Sequence, residues 1–209
     1  MWPWEHALVG YLAYSLCCHA FHRESPDGLE AFAVVAASVL PDLIDKPLAW
    51  EFGVFETGYA LGHSIFVAVP LAIVVGSLAR AWGRPRAGLA FGLGYLLHLP
   101  ADVVDGYVRG GTLEFGIVLW PVAPVETPPT AAPAGFLSEF SRLFAGYREQ
   151  LLAGELSTYL WLQFGIVVLT ALLWLYDGAP VARECLVSGK RTLVSMGSSV
   201  RGLRERRER

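Results

Sequence analysis

The chain has 209 residues, of which 54% are hydrophobic and only 17% are charged. In an ordinary soluble domain about a quarter of the residues are charged, so this composition excludes that class and favours an integral membrane protein. The formal net charge of −3 hides an uneven distribution, because residues 183–209 hold eight basic and three acidic side chains.

Taken in chain order, five apolar segments predict an all-α, polytopic membrane helical bundle with about five transmembrane helices. These segments are residues 7–21, 31–40, 60–79, 87–101 and 156–176. The first, second and fourth are short and carry polar groups at one end, whereas the fifth has no charge. We therefore expect the fifth helix to face lipid, and the other four to form the functional bundle.

Two further segments lie between the fourth and fifth apolar runs. Residues 121–135 form a Pro-rich loop, and residues 136–153 alternate apolar and charged residues with helical spacing. The second pattern is typical of an amphipathic interfacial helix. We expect a membrane-embedded helical domain over 1–178, followed by a basic, disordered tail over 179–209. That tail is interpreted as a determinant of topology and lipid-surface binding, not as a nucleic-acid site.

Basic residues predict the orientation. Arg80, Arg84 and Arg86 lie between the third and fourth runs, and short basic loops usually stay in the cytoplasm. The basic tail points to the same side. With five spans, the N-terminus is then outside and the C-terminus cytoplasmic, in a multi-pass protein of the plasma or inner membrane.

This topology brings several polar residues to one membrane face. His98 and Asp102 are four residues apart, so a helix projects both from one side. Ionisable groups in membrane segments are costly and are usually functional. Four separate segments deliver an imidazole or a carboxylate to the outer face: His6, Asp42 with Asp45, His63, and His98 with Asp102.

These residues predict a metal site. Imidazole and carboxylate ligands suit Zn²⁺, Mn²⁺ or Fe²⁺, and the number of ligands allows one or two ions. The predicted ligands are His6, Asp42, His63, His98 and Asp102, and the predicted catalytic or supporting groups are Asp45, Asp105 and Ser64. A metal-activated water would make the protein a hydrolase. We expect a phosphoester or lipid-like substrate at the outer face, with membrane lipids as the surroundings.

Other readings of the same residues stay open. Polar side chains at helix ends also suit a metal or proton transporter, or a non-catalytic scaffold in which the cluster ties helices together. Asp42 and Asp45 are also compatible with a helix that ends after Pro41, and His6 with an interfacial polar residue. His19 and His22 lie at the opposite end of the first run, so they are interpreted as non-ligands.

The order of these motifs resembles the YdjM-type family of membrane-bound, metal-dependent hydrolases, over roughly residues 4–123. The motifs are His6 with Gly10, Pro41-Asp42-x-x-Asp45, Gly62-His63-Ser64, Gly94-Tyr95-x-x-His98-x-x-x-Asp102 and Trp120-Pro121. The resemblance implies a multi-helix inner-membrane protein with these His and Asp residues as metal ligands. The chain is also distantly similar to the zinc-dependent phospholipase C and P1-nuclease group.

The chain departs from that family in one segment. The family has a further histidine and an arginine shortly before the position of His63, where this chain has Gly58 and Tyr59. Gly62 stands where the family has threonine.

Overall fold

The computed structural model describes residues 1–125, 135–154 and 157–186, which contain six α-helices. They are α1 Pro3–Cys17, α2 Gly28–Trp50, α3 Ile65–Ala81, α4 Pro85–Gly110, α5 Phe136–Leu152 and α6 Thr158–Tyr176. A π-helical turn, Cys18–His22, extends α1, and a short 3₁₀ helix spans Phe115–Val118. No strand occurs in these described ranges, which confirms the all-α fold class. Most of the predicted Pro-rich loop and the tail from residue 187 lie outside them.

Local sequence signals set the helix ends. Asp27 caps α2 by accepting a hydrogen bond from the Glu30 amide at 2.8 Å, while the Glu30 side chain reaches back to the Asp27 amide. This reciprocal capping box satisfies amide groups that would otherwise lack a partner. Pro85 opens α4, where its missing N–H costs nothing. Gly111 ends α4 with a positive φ of 75°, a conformation that glycine adopts without strain.

Three apolar runs differ in length from their helices. Helix α2 continues through Pro41 and Pro47, and α4 continues through Pro100. Helix termination at Pro41 was therefore a wrong interpretation. Asp45, four residues later, accepts the Ala60 and Gly62 amides at 2.8 Å, and these contacts hold the segment in the bundle as part of the helix. Helix α3 is shorter than its run, and His63 lies in the turn that precedes it.

The expectation of five membrane-spanning helices is not confirmed as a whole. Within the described residues, α4 and α6 are long and apolar enough to cross a membrane by length and composition. Helix α3 is apolar but has only 17 residues. The fivefold crossing and the orientation of the ends stay predictions.

Helix α4 occupies the centre of the bundle, where it packs against α1, α2 and α3. Its close approach to α2 depends on Gly94, since a Cβ there would lie 2.4 Å from the Val34 carbonyl oxygen and 2.9 Å from Ser38 Oγ. Gly10 of α1 faces the same Ser38 side chain. These contacts bring α1, α2 and α4 close together one helical turn before His98 in α4.

The two ends of the bundle carry separate polar groups. At the end far from His98, the Asp177 carboxylate accepts hydrogen bonds from Tyr11 and Ser15, both at 2.6 Å, and lies 2.7 Å from His19 Nε2. Arg86 pairs there with Glu30 at 2.9 Å. These contacts join α6 to α1 and α4 to α2, and they place His19 away from the predicted ligands.

Helix α5 lies across the other end of the bundle, and its presence confirms the helix predicted from the amphipathic pattern. Its aromatic side chains Phe140, Phe144 and Tyr147 surround Trp2, with ring centroids 5.4–6.2 Å away. Its first amide, that of Phe136, donates to Glu51 at 2.8 Å. Helix α5 therefore covers the ends of α1 and α2 that bear the predicted ligands.

Candidate metal centre

Four parts of the chain bring the predicted metal ligands together in the interior. His6 comes from α1, Asp42 from α2, His63 from the turn before α3, and His98 and Asp102 from α4. All five side chains are buried. The turn and the helices meet here because α1, α2 and α3 all pack against α4, with the ends that carry these residues at one side of the bundle.

The imidazole of His63 is held in one orientation by Asp45. Its Nδ1 lies 2.8 Å from Asp45 Oδ2. A carboxylate accepts hydrogen bonds, so Nδ1 carries the proton and Nε2 faces the centre of the cluster. A histidine whose distal nitrogen donates to a carboxylate is typical of metal-ligating imidazoles.

His98 is oriented in the same way by a backbone group. Its Nδ1 lies 2.6 Å from the carbonyl oxygen of Ser38, which can only accept, so His98 Nδ1 is the donor. His98 Nε2 is then directed at His63 Nε2, 3.0 Å away. If both imidazoles are neutral, the lone pairs of the two Nε2 atoms point at each other and repel. A positive charge between the two atoms removes this repulsion.

Two carboxylates complete the group. Asp102 Oδ2 lies 3.3 Å from His63 Nε2 and 3.4 Å from His98 Nε2. Asp42 Oδ1 lies 3.5 Å and 3.9 Å from the same two nitrogens. One ligand atom from each of the four residues lies within 4.8 Å of the others, so a single ion can contact all of them after small side-chain movements.

The donor set fits a divalent cation. Asp42 Oδ2 is buried and has no hydrogen-bond partner among the described residues, and a buried carboxylate oxygen without a partner is costly. Two nitrogens and two carboxylates suit Zn²⁺, Mn²⁺ or Fe²⁺. No thiolate contributes, since Cys17 and Cys18 lie at the far end of α1 and Cys185 is exposed.

The electrostatics of the cluster favour positive charge. Burial lowers the pKa of His63, but hydrogen bonds to Asp102, Asp42 and Asp45 outweigh it and raise the pKa to about 10. Either a proton or a metal ion between the imidazoles supplies the positive charge that the surrounding carboxylates favour. A metal ion that binds there displaces the proton.

His6 stands beside this group of four. Its ring stacks on that of His98 at 3.6 Å between centroids, and its Nε2 lies 3.0 Å from Asp102 Oδ1. Neither ring nitrogen makes a well-aligned hydrogen bond within the described ranges. Its role as a ligand stays a prediction, and a second ion would be placed between His6 and Asp102.

Asp45 and Ser64, predicted as catalytic groups, are both engaged with the protein. Besides the His63 ring, the Asp45 carboxylate accepts the amide hydrogens of Ala60 and Gly62, both at 2.8 Å. Ser64 Oγ donates to the Trp120 carbonyl at 2.6 Å. These contacts fix the turn that carries His63, so Asp45 and Ser64 are placed to position a ligand.

Asp105, the third predicted catalytic group, lies one turn beyond Asp102. Its Oδ2 is 3.0 Å from the Met1 amino nitrogen, and its Oδ1 accepts from Arg109 Nε at 3.0 Å. The same amino nitrogen lies 2.7 Å from Asp102 Oδ1. Asp105 is thus linked to the cluster through its neighbours and also borders open space.

That space is a cavity of about 530 Å³ between the cluster and α5. Asp42 and Asp105 line one wall together with Lys46, Arg109 and Tyr59. The rest of the lining is mostly apolar and includes α5 side chains and two tryptophans. The volume and the mixture of apolar walls with a few polar groups are those of a small-molecule site.

Sequence reasoning missed several residues of this site. Lys46 Nζ lies 2.6 Å from Asp42 Oδ1, and the Tyr59 ring contacts that of His63 edge-on at 4.8 Å. The spacing of Lys46 four residues after Asp42 was a usable signal, whereas nothing local marked Tyr59.

The structure also explains why glycine occupies position 62. A Cβ on Gly62 would lie 2.8 Å from the Pro41 carbonyl oxygen and 3.0 Å from Pro41 Cα. In this chain a side chain at position 62 would therefore push the turn away from α2, where Asp45 accepts its amides. Tyr95 supports the turn from α4, since its hydroxyl donates to the Gly62 carbonyl at 2.8 Å.

Comparison with known proteins gives one match. The family model described as YdjM inner membrane protein matches residues 1–181, which includes every predicted site residue. No curated protein and no solved structure matches the chain. The match covers most of the chain and agrees with the motifs that carried the resemblance, so the chain belongs to the YdjM inner membrane protein family.

Proposed function

We propose that the protein is a metal-dependent hydrolase of the membrane that acts on a phosphoester substrate. The observation that carries the proposal is the pair of imidazole nitrogens, His63 Nε2 and His98 Nε2, which face each other at 3.0 Å between two buried carboxylates. Both rings are fixed from behind, by Asp45 and by the Ser38 carbonyl. Such preorganisation is what a metal site requires.

In this site, His63, His98, Asp42 and Asp102 would hold the ion. When bound, a divalent ion supplies a Lewis acid and lowers the pKa of a coordinated water to about 7. Because Asp42 lines the 530 Å³ cavity and also belongs to the cluster, a substrate in the cavity would lie next to the bound ion. Asp105 borders the same cavity and would accept a proton from water.

The cavity also contains groups suited to a phosphate. Lys46 and Arg109 line it on the side of the cluster, and guanidinium and ammonium groups are the usual partners of phosphate oxygens. Their carboxylate partners, Asp42 and Asp105, neutralise them in the absence of substrate. Substrate binding would exchange these intramolecular ion pairs for contacts with the phosphoester.

The transporter alternative lacks a continuous polar path in the part of the chain that the structure describes. Between the cluster and the polar groups at the other end, α2 and α4 bury Val34, Ala37 and Ala90. A layer of this kind opposes the passage of a hydrated ion. In the scaffold alternative the cluster ties helices together without catalysis, so measurements of bound metal and of activity distinguish it from the hydrolase.

The test uses the full chain purified in detergent and loaded with Zn²⁺ or Mn²⁺. Hydrolysis of bis(4-nitrophenyl) phosphate and of a phospholipid in mixed micelles is measured with and without chelator. We expect turnover that the chelator abolishes and that His98→Ala removes. His22→Ala, at the exposed far end of α1, serves as the matched control and retains activity. Bound metal without turnover of any phosphoester would refute the hydrolase and support the scaffold.

A further inference from the structure

A second cavity, of about 310 Å³, lies between α1, α4 and α6. Its walls are almost entirely apolar, and they include Leu8, Leu97, Val104, Leu162 and Ile166. Val104 and Leu162 are each more than half exposed, so the cavity is a groove that opens on the outer surface of the bundle.

The groove lies where the surroundings are lipid. Two of its three walls are α4 and α6, the helices that are long and apolar enough to cross a membrane. An apolar groove between membrane-crossing helices is filled by lipid chains from the bilayer, because contact of its apolar walls with water is unfavourable.

One end of the groove is polar. Tyr159 donates to Glu5, and the Arg109 guanidinium lies 4.0 Å from the centre of the Tyr159 ring while also donating to Asp105. Tyrosine and arginine concentrate at the level of the lipid headgroups, where their apolar parts meet the chains and their polar parts meet water. This end therefore marks headgroup depth, and the remainder of the groove lies at the depth of the acyl chains.

The polar end of the groove lies next to the proposed active site. Met1 and Asp105 line both the groove and the 530 Å³ cavity, so the two spaces adjoin at these residues. A lipid whose apolar tail lies in the groove would bring its polar head to Asp105, at the edge of the cavity that Asp42 also lines.

From this adjacency we infer that the groove between α1, α4 and α6 binds one acyl chain of a phospholipid, whose phosphoester headgroup occupies the cavity beside Asp42. The inference rests on the proposed hydrolase and deepens it, because it names a bilayer phospholipid as the substrate class. The chain enters sideways from the bilayer, and the headgroup meets Arg109 and Lys46 at the cluster.

The test fills the groove and measures lipid binding directly. Ile166→Trp places a large ring among the groove walls of α6. Leu169→Trp is the matched control, because Leu169 is an exposed residue of the same helix that does not line the groove. Native mass spectrometry of the full chain in detergent counts one-to-one adducts with an anionic diacyl phosphoglycerol lipid and with a zwitterionic diacyl phosphocholine lipid.

We expect wild type and Leu169→Trp to form the adduct, and Ile166→Trp to bind about tenfold more weakly, a loss that corresponds to about two unburied methylene groups. Adducts with either lipid support the inference. Leu162→Trp, also in the groove, repeats the test if Ile166→Trp does not fold. Unchanged lipid binding in the folded groove variants would overturn the inference, as would a groove variant that changes the oligomeric state instead of lipid binding.

The two proposals fail separately. Groove-dependent lipid binding without hydrolysis of any phosphoester by the metal-loaded wild type would remove the hydrolase and leave a lipid-binding site. Bis(4-nitrophenyl) phosphate has no acyl chain. If its hydrolysis is chelator-sensitive while lipid binding is unchanged in the groove variants, the hydrolase proposal is retained and the phospholipid assignment is removed.

Discussion

Replacing Asp102 by asparagine tests whether the buried cluster binds metal or only joins helices. Asp102 Oδ2 faces the Nε2 atoms of both His63 and His98, so Asp102→Asn removes a charged ligand while retaining the size of the side chain. Loss of an outer-shell group alone typically weakens metal binding 10- to about 100-fold. For this directly contacting carboxylate we expect the dissociation constant for Zn²⁺ to rise at least about 100-fold.

Thermal unfolding gives the magnitude. At a free Zn²⁺ concentration of about 100 times the wild-type dissociation constant, binding stabilises the folded state by about 2.7 kcal/mol. For a variant that binds about 100-fold more weakly, the same concentration only equals its dissociation constant and contributes about 0.4 kcal/mol. The difference of roughly 2.3 kcal/mol corresponds to a Zn²⁺-dependent Tm increase that is about 5–9 °C larger in the wild type.

Asp177→Asn is the matched control. Asp177, like Asp102, is a buried carboxylate beside an imidazole, but it lies at the opposite end of the bundle. The assay combines metal content by mass spectrometry, competition with a chromogenic chelator, and Tm with and without Zn²⁺. Asp177→Asn should lower Tm yet retain full metal content. Equal metal content in wild type and Asp102→Asn would refute the assignment of the cluster as a metal site.

Three further predictions concern positioning, packing and pH. Asp45→Ala should weaken Zn²⁺ binding 10- to about 100-fold in chelator competition because the imidazole it holds becomes free to rotate; unchanged affinity would contradict this positioning role. Gly94→Ala should lower stability by about 1–3 kcal/mol through overpacking against α2 and thereby lower Tm, whereas Gly92→Ala, whose Cβ would meet its nearest neighbour at 3.8 Å, should not. Although burial raises the pKa of Asp177, hydrogen bonds from α1 outweigh it and keep that pKa below its usual value. Ionised Asp177 therefore stabilises the fold above about pH 4, and this stabilisation is lost as the pH falls through the lowered pKa; Asp177→Asn should flatten the acid side of the Tm–pH curve, and an unchanged curve would contradict the prediction.

The sequence by itself determined the fold class and most of the cluster. Helical spacing placed His98 and Asp102 on one face of a helix. Because successive apolar segments run in opposite directions, they brought His6, Asp42 and His63 to the same end. Both are consequences of short-range periodicity and of the thickness of a bilayer, which act on any chain with this pattern. The amphipathic segment was recognised for the same reason, since its period of apolar residues is visible without any partner.

Helix lengths were decided by tertiary packing. The apolar run of α2 ends before Pro41, yet the helix continues to Trp50. Proline disfavours a helix interior by removing one hydrogen bond. The hydrogen bonds that Asp45 accepts from the Ala60 and Gly62 amides and the buried packing of Ala49 and Trp50 offset that cost here. The local sequence does not show whether the helix continues past the proline, because the compensating contacts come from residues far away in the chain.

The orientation of each ligand and the shape of the site also depended on the tertiary structure. The Ser38 carbonyl that fixes His98 is a backbone group with no signature in the sequence. Asp45 acquires its role because the turn with Gly62 approaches α2 closely enough to donate its amides. The two cavities that meet at Asp105 arise from gaps between helices that are not neighbours in sequence. Periodicity specifies which face of a helix is polar, whereas distances between faces are set only when the helices pack.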